Sequence, residues 1–121
     1  MGVDRFPRMR RVNAIVWEVL ASEVHGLSDP RLSGVTITGV ETSPDLRRAV
    51  VFFSAADMTR LEETGEGLTS AAGRLQALLA SQVRLKYTPR LEFRPDQGVI
   101  AGMKIESLLR GTPTPGPRGE K

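Results

Sequence analysis

At 121 residues, 40% of them hydrophobic, the chain holds enough apolar material for one core and little beyond it, so a single domain is expected. Cysteine is absent, which excludes a disulfide framework and any thiolate metal site and makes the cytoplasm the default compartment. No apolar run reaches about 18 residues and no signal-type apolar segment follows MGVDRFPRMRR, so no membrane partner is expected.

In chain order, Phe6 to Val24 predicts a first helix, with Val12, Ile15, Val16, Val19 and Leu20 as its apolar stripe and Pro7 in its first turn, where a missing N–H is harmless. Trp17 stands one residue off that stripe and is read as a core-edge side chain. Gly26, Ser28, Asp29 and Pro30 form a loop. Val35 to Val40 alternates and is β-branched, so it predicts a strand with Val35 and Ile37 buried. Ser43-Pro44-Asp45 is turn chemistry, and Arg48 to Ser54 is a second, nearly all-apolar strand, paired antiparallel with the first across that short connection.

Met58 to Ala72 predicts an acidic second helix with Leu61 and Leu68 inward, weakened by Gly65 and Gly67, where fraying or a break near Glu66 is expected. Ala71-Ala72-Gly73 follows, small enough for a sharp bend and close helix packing. A third helix carries Leu75, Leu78, Leu79 and Val83 on one face and Arg74, Arg84 and Lys86 around it, stopped by Thr88-Pro89. Leu91 to Arg94 is a third strand, Pro95-Asp96-Gln97-Gly98 a turn, and Val99 to Leu109 a short terminal helix with Val99, Met103, Ile105, Leu108 and Leu109 as its apolar positions. Residues 111–121, GTPTPGPRGEK, are rich in proline and glycine and predicted to be a disordered tail.

The formal charge is only +3, with a pI near 9.9, but the charges are unevenly placed. Arg5, Arg8, Arg10 and Arg11 against Asp4 give the first thirteen residues a balance of +3. Residues 74–94 reach +4, while residues 55–73 stand at −3. One basic side and one acidic side follow from that asymmetry.

The order helix, strand, strand, helix, helix, strand implies an α+β two-layer sandwich: a three-stranded sheet with helices on one face and the other face partly open. Asp29-Pro30-Arg31-Leu32, Val35 to Glu41, Ser43-Pro44-Asp45-Leu46, Ala71-Ala72-Gly73, Arg84-Leu85-Lys86 and Pro89-Arg90-Leu91-Glu92-Phe93 together resemble the ribosome-binding factor A family, over residues 5 to 110. The resemblance implies a KH-like fold of type II over residues 1–110, with an Ala-x-Gly kink at Ala71, Ala72 and Gly73 in place of the GxxG loop of ordinary KH domains. It implies a non-enzymatic factor that binds the free small (30S) subunit and its 16S rRNA near the decoding region, assists late rRNA processing and leaves before translation. A monomer is implied, with ribosome-assembly GTPases as candidate further partners.

Phosphate binding needs cations held along a surface, and arginine suits it because its planar fork grips two oxygens. The candidates are Arg8, Arg10 and Arg11 on the first helix, Arg31 in the Asp29-Pro30-Arg31-Leu32 loop, Arg47 and Arg48 at the hairpin, and Arg74, Arg84, Lys86 and Arg90 from the third helix onward. Arg31 has two readings, contact with RNA or pairing with Asp29. His25, Ser28 and Asp29 are neighbours in sequence, but a triad is defined by geometry and supporting partners, so no catalytic residue is assigned. No metal-ligand cluster, P-loop or dinucleotide fingerprint occurs, and no cofactor is expected. The alternative to RNA binding is a protein-interaction module of the same fold, docking through the open sheet face or the terminal helix.

Overall fold

Val12, Val16 and Leu20 recur at four-residue intervals, and in a helix that spacing makes one buried face: α1, Pro7–Glu23. The structure is a computed structural model that describes residues 7–109, side chains at 103–108 excepted. Phe6, the tail and the side chains of Met103, Ile105 and Leu108 therefore lie outside the described residues. Beyond α1, a 3-10 turn at Pro30–Leu32 is capped by Asp29, whose side chain accepts the Arg31 N–H.

β1 (Val35–Thr42) and β2 (Arg48–Ala55) pair antiparallel, as the short connection requires. The register slips between Ile37 and Gly39, leaving Thr38 as a bulge, so inward positions run Val35, Ile37, Val40, Thr42. Two long-range bonds converge on this bulge. Trp17 Nε1–H donates to the Ile37 carbonyl at 2.9 Å, which fixes an indole that is 43% exposed as the core-edge side chain its position suggested.

α2 (Leu61–Ser70) and α3 (Ala72–Gln82) return the chain to β3 (Arg90–Pro95), which runs parallel to β2 and completes the sheet in the order β1-β2-β3. The three helices pack on the sheet face carrying Val35, Ile37, Ala49, Val51, Phe53 and Leu91. Phe53, Leu20, Leu68, Leu75 and Leu79 are fully buried there, and each contributes roughly 1.5–3 kcal/mol relative to exposure. Pro95 ends an edge strand, where a missing donor is tolerated. α4 (Gln97–Leu109) then begins with Asp96 as its cap, accepting the Val99 N–H at 3.1 Å, while its other oxygen takes the Thr38 hydroxyl.

Three expectations need correction. α2 runs unbroken past Glu66, because its glycines serve packing: a Cβ on Gly65 would lie 3.1 Å from Phe53 Cζ, and one on Gly67 would lie 3.0 Å from Leu32 Cδ2. The bend falls at Ala71, whose φ −90° and ψ 0° close α2, whereas a Cβ on Gly73 would meet nothing within 4 Å, so that glycine is not required for close helix packing. α3 ends at Gln82, before Thr88-Pro89 is reached. Val83 and Leu85 are half-buried against the core while Arg84 and Lys86 are exposed, an alternation with period two that takes the chain out of the helix.

Candidate nucleic-acid interface

Arg8, Arg11, Val12 and Ile15 stand at the three- and four-residue spacings of one helical face, so the first turns of α1 present two cations above an apolar patch. Asn13 fixes that helix against the sheet. Its Oδ1 accepts both the backbone N–H of Thr42, at 2.7 Å, and the Thr42 hydroxyl, at 2.8 Å. Thr42 is buried, so without Asn13 two donors would lack a partner away from water.

The next residues form the β1–β2 turn. Asp45 Oδ1 accepts from Ser43 Oγ and from the Arg47 N–H, and the Arg48 N–H donates to Ser43 Oγ. The Ser43 hydroxyl, then the Arg47 N–H, hold the Asp45 carboxyl below its usual range. Leu46 takes a left-handed φ of 63°, unusual outside glycine, and packs its side chain against the core. Facing α1 and this turn runs the segment 83–87, with Leu85 inward and Arg84, Lys86 and Tyr87 outward.

These three pieces enclose a cleft of about 510 Å³. Its apolar lining is Val12, Ile15, Leu46, Val83 and Leu85; its cations are Arg8, Arg11, Arg84 and Lys86; its aromatic residue is Tyr87. None of the four cations has a carboxylate partner among the described residues. Arg47 joins from outside, its guanidinium carbon 4.2 Å from the Tyr87 ring centre, with Lys86 Nζ at 5.6 Å.

Five of the ten candidate cations thus gather at one place, and the others do not. Arg31 is turned onto Asp29, donating from Nε at 3.1 and 3.0 Å and from Nη2 at 2.6 Å, the pairing that is one of its two readings. That pair packs under Gly67, so the Asp29-Pro30-Arg31-Leu32 loop braces α2. Arg48 pairs with Glu92 across the open sheet face, and exposed Arg90 is its register neighbour on β3. Arg74 lines a separate recess with Gly26, Asp29, Ser70 and Ala71, and Arg10 is exposed on α1. The acidic residues Glu62 and Glu66 line a third recess, sharing no residue with the cationic cleft.

Sequence reasoning missed Tyr87 and Leu46. Tyr87 is the only tyrosine in the chain and follows Lys86 directly, an aromatic among cations that could have marked it. Leu46 stood in sequence only as the end of Ser43-Pro44-Asp45-Leu46, and nothing there marked its left-handed backbone, which closes that turn with its N–H on the Ser43 carbonyl. Among the described residues there is no group of three or more potential metal ligands, and no helix long and apolar enough to cross a membrane.

The helix order, the three-stranded sheet with helices on one face and the bend at Ala71 define a KH-like α+β domain, here with a cationic cleft at the start of α1. The family model of ribosome-binding factor A matches residues 8–109, and the chain belongs to that family. It is 50% identical to ribosome-binding factor A of Rubrobacter xylanophilus over 104 residues, 85% of each protein, and 36% identical to that of Geobacter sulfurreducens over 107 residues, 87% of this chain and 91% of the other. The crystal structure of ribosome-binding factor A from Thermus thermophilus superposes with a TM-score of 0.67 at 36% identity, covering 72% of this chain and 93% of that one. A homology model of the Thermus thermophilus factor, fitted into the cryo-EM map of its complex with the 30S subunit, superposes with a TM-score of 0.61 at 36% identity, covering 70% and 91%.

Proposed function

We propose that this protein is a non-enzymatic assembly factor that binds the free small ribosomal subunit through its 16S rRNA and assists late maturation of that RNA. The observation that carries the reading is the cleft of Arg8, Arg11, Arg84 and Lys86, four cations without carboxylate partners among the described residues, on a chain of a family whose Thermus thermophilus member was fitted into a 30S complex. Cations placed this way attract phosphate and release its counterions, giving affinity that falls with salt at a log–log slope of about −0.7 to −0.9 per phosphate neutralised. Ribosome-assembly GTPases remain the candidate further partners.

Arg8→Glu with Arg84→Glu tests this reading. Both side chains are exposed, so the fold should stand while binding to small subunits is lost and the salt slope flattens. Unchanged binding in a folded double variant would move the interface to the open sheet face or α4 and favour a protein-interaction module.

A further inference from the structure

We propose that the cleft between α1, the β1–β2 turn and residues 83–87 is a socket for one unpaired ribonucleotide, its base lodged against the apolar lining and Tyr87 and its phosphates on the rim arginines. This rests on the RNA-binding reading above and adds to it a kind of contact that phosphate attraction alone does not need.

Three observations carry it. A surface that only tracks a phosphate backbone requires charge, yet this one has depth and an apolar lining: Val12, Ile15, Leu46, Val83 and Leu85 sit behind four cations in about 510 Å³, within the range of sites that engulf small ligands. Tyr87 lines the cleft and is 38% exposed, while Arg47 and Lys86 lie against its ring. Aromatic rings and guanidinium planes are the surfaces on which single-stranded RNA stacks its splayed bases. Finally, the left-handed backbone of Leu46 brings an aliphatic side chain to the lining from a turn that would otherwise be polar. The one carboxylate on the lining, Asp45, accepts from Ser43 and Arg47 through Oδ1 and is outnumbered by the cations.

A duplex cannot place a base in such a cleft without breaking a pair, so the socket selects unpaired RNA without reading its sequence through a GxxG loop. A nucleotide within a strand is favoured over a free one because Arg8, Arg11 and Arg84 offer more cations than a single phosphate needs.

The test is fluorescence anisotropy of the full chain with a labelled, unstructured ten-nucleotide RNA, a ten-base-pair RNA duplex, a free nucleoside monophosphate and polyglutamate. The single strand should bind about tenfold more tightly than the duplex. Tyr87→Ala should weaken single-strand binding roughly five- to tenfold, pulling the ratio of the two affinities toward one, and Tyr87→Phe, which keeps the ring, should recover most of the loss. Equal binding of strand and duplex, or a ratio that Tyr87→Ala leaves intact, overturns the socket; if Arg8→Glu with Arg84→Glu still abolishes small-subunit binding, the assembly-factor reading survives that failure. Polyglutamate or the free monophosphate binding as tightly as the strand also overturns the proposal.

Discussion

Arg47 holds its guanidinium 4.2 Å from the centre of the Tyr87 ring while its own carbonyl accepts the Arg90 N–H at 2.8 Å. One residue just before β2 therefore ties down both the segment 83–87 and the first residue of β3. The side-chain half of that tie is partly exposed and should be worth about 0.5–1 kcal/mol. A double-mutant cycle of Arg47→Ala and Tyr87→Ala by urea denaturation should return a coupling of that size; a coupling near zero would show that the stack does not order the segment.

Asn13 should matter more than a surface-facing amide would suggest. Asn13→Ala leaves the Thr42 N–H and hydroxyl without their acceptor and should cost about 1–3 kcal/mol, read as a lower urea midpoint at unchanged slope. Asn13→Asp keeps the acceptor oxygen and should recover most of that loss at neutral pH.

Gly67 and Gly73 should respond to alanine in opposite directions. Gly73 lies in the first turn of α3 with open space where a Cβ would stand, so Gly73→Ala should stabilise by up to ~1 kcal/mol. At Gly67 the same change meets Leu32, Arg31 and Asp29 and should cost about 1–3 kcal/mol. Thermal melts of the two variants check the pair, and a stabilised Gly67→Ala would contradict the packing of the Asp29-Pro30-Arg31-Leu32 loop against α2.

The acid limb of stability should come from carboxylates held below their usual range. Asp96 is held down by the Thr38 hydroxyl and then the Val99 N–H, Glu92 first by Arg48, and Asp29 first by the Arg31 side chain. A lowered pKa in the folded state gives stability that is complete above the unfolded value near 4 and is lost as pH falls through the folded value. Urea midpoints should therefore stay flat from pH 7 to about 5 and decline below about 4. Asp96→Asn retains a capping oxygen but does not titrate, so its decline should be shallower. An equal decline would show that Asp96 contributes nothing to acid sensitivity.

The fold was legible where one local rule decided the outcome. Period-two alternation in Val35 to Val40, the turn at Ser43-Pro44-Asp45 and the stripe of α1 each produced the element they predict. Sequence misled where a tertiary contact overrode the local rule. Gly65 and Gly67 weaken an isolated helix, but Phe53 and Leu32 fill the space they leave; Val83 continues the apolar stripe of α3 in sequence, but the core draws Val83 and Leu85 into an extended path. The site was legible as charge and not as shape. Arg8, Arg11, Arg84 and Lys86 could be named from sequence, whereas their convergence depends on Asn13 docking α1 and on Arg47 anchoring Tyr87, links spanning 29 and 40 positions of the chain.

The central claim is tested most directly by co-sedimenting the purified protein with free small subunits, large subunits and intact ribosomes across a salt series. The account predicts selective binding to free small subunits that weakens as salt rises and is lost in Arg8→Glu with Arg84→Glu. Equal binding to all three particles, or none to the small subunit, would contradict it.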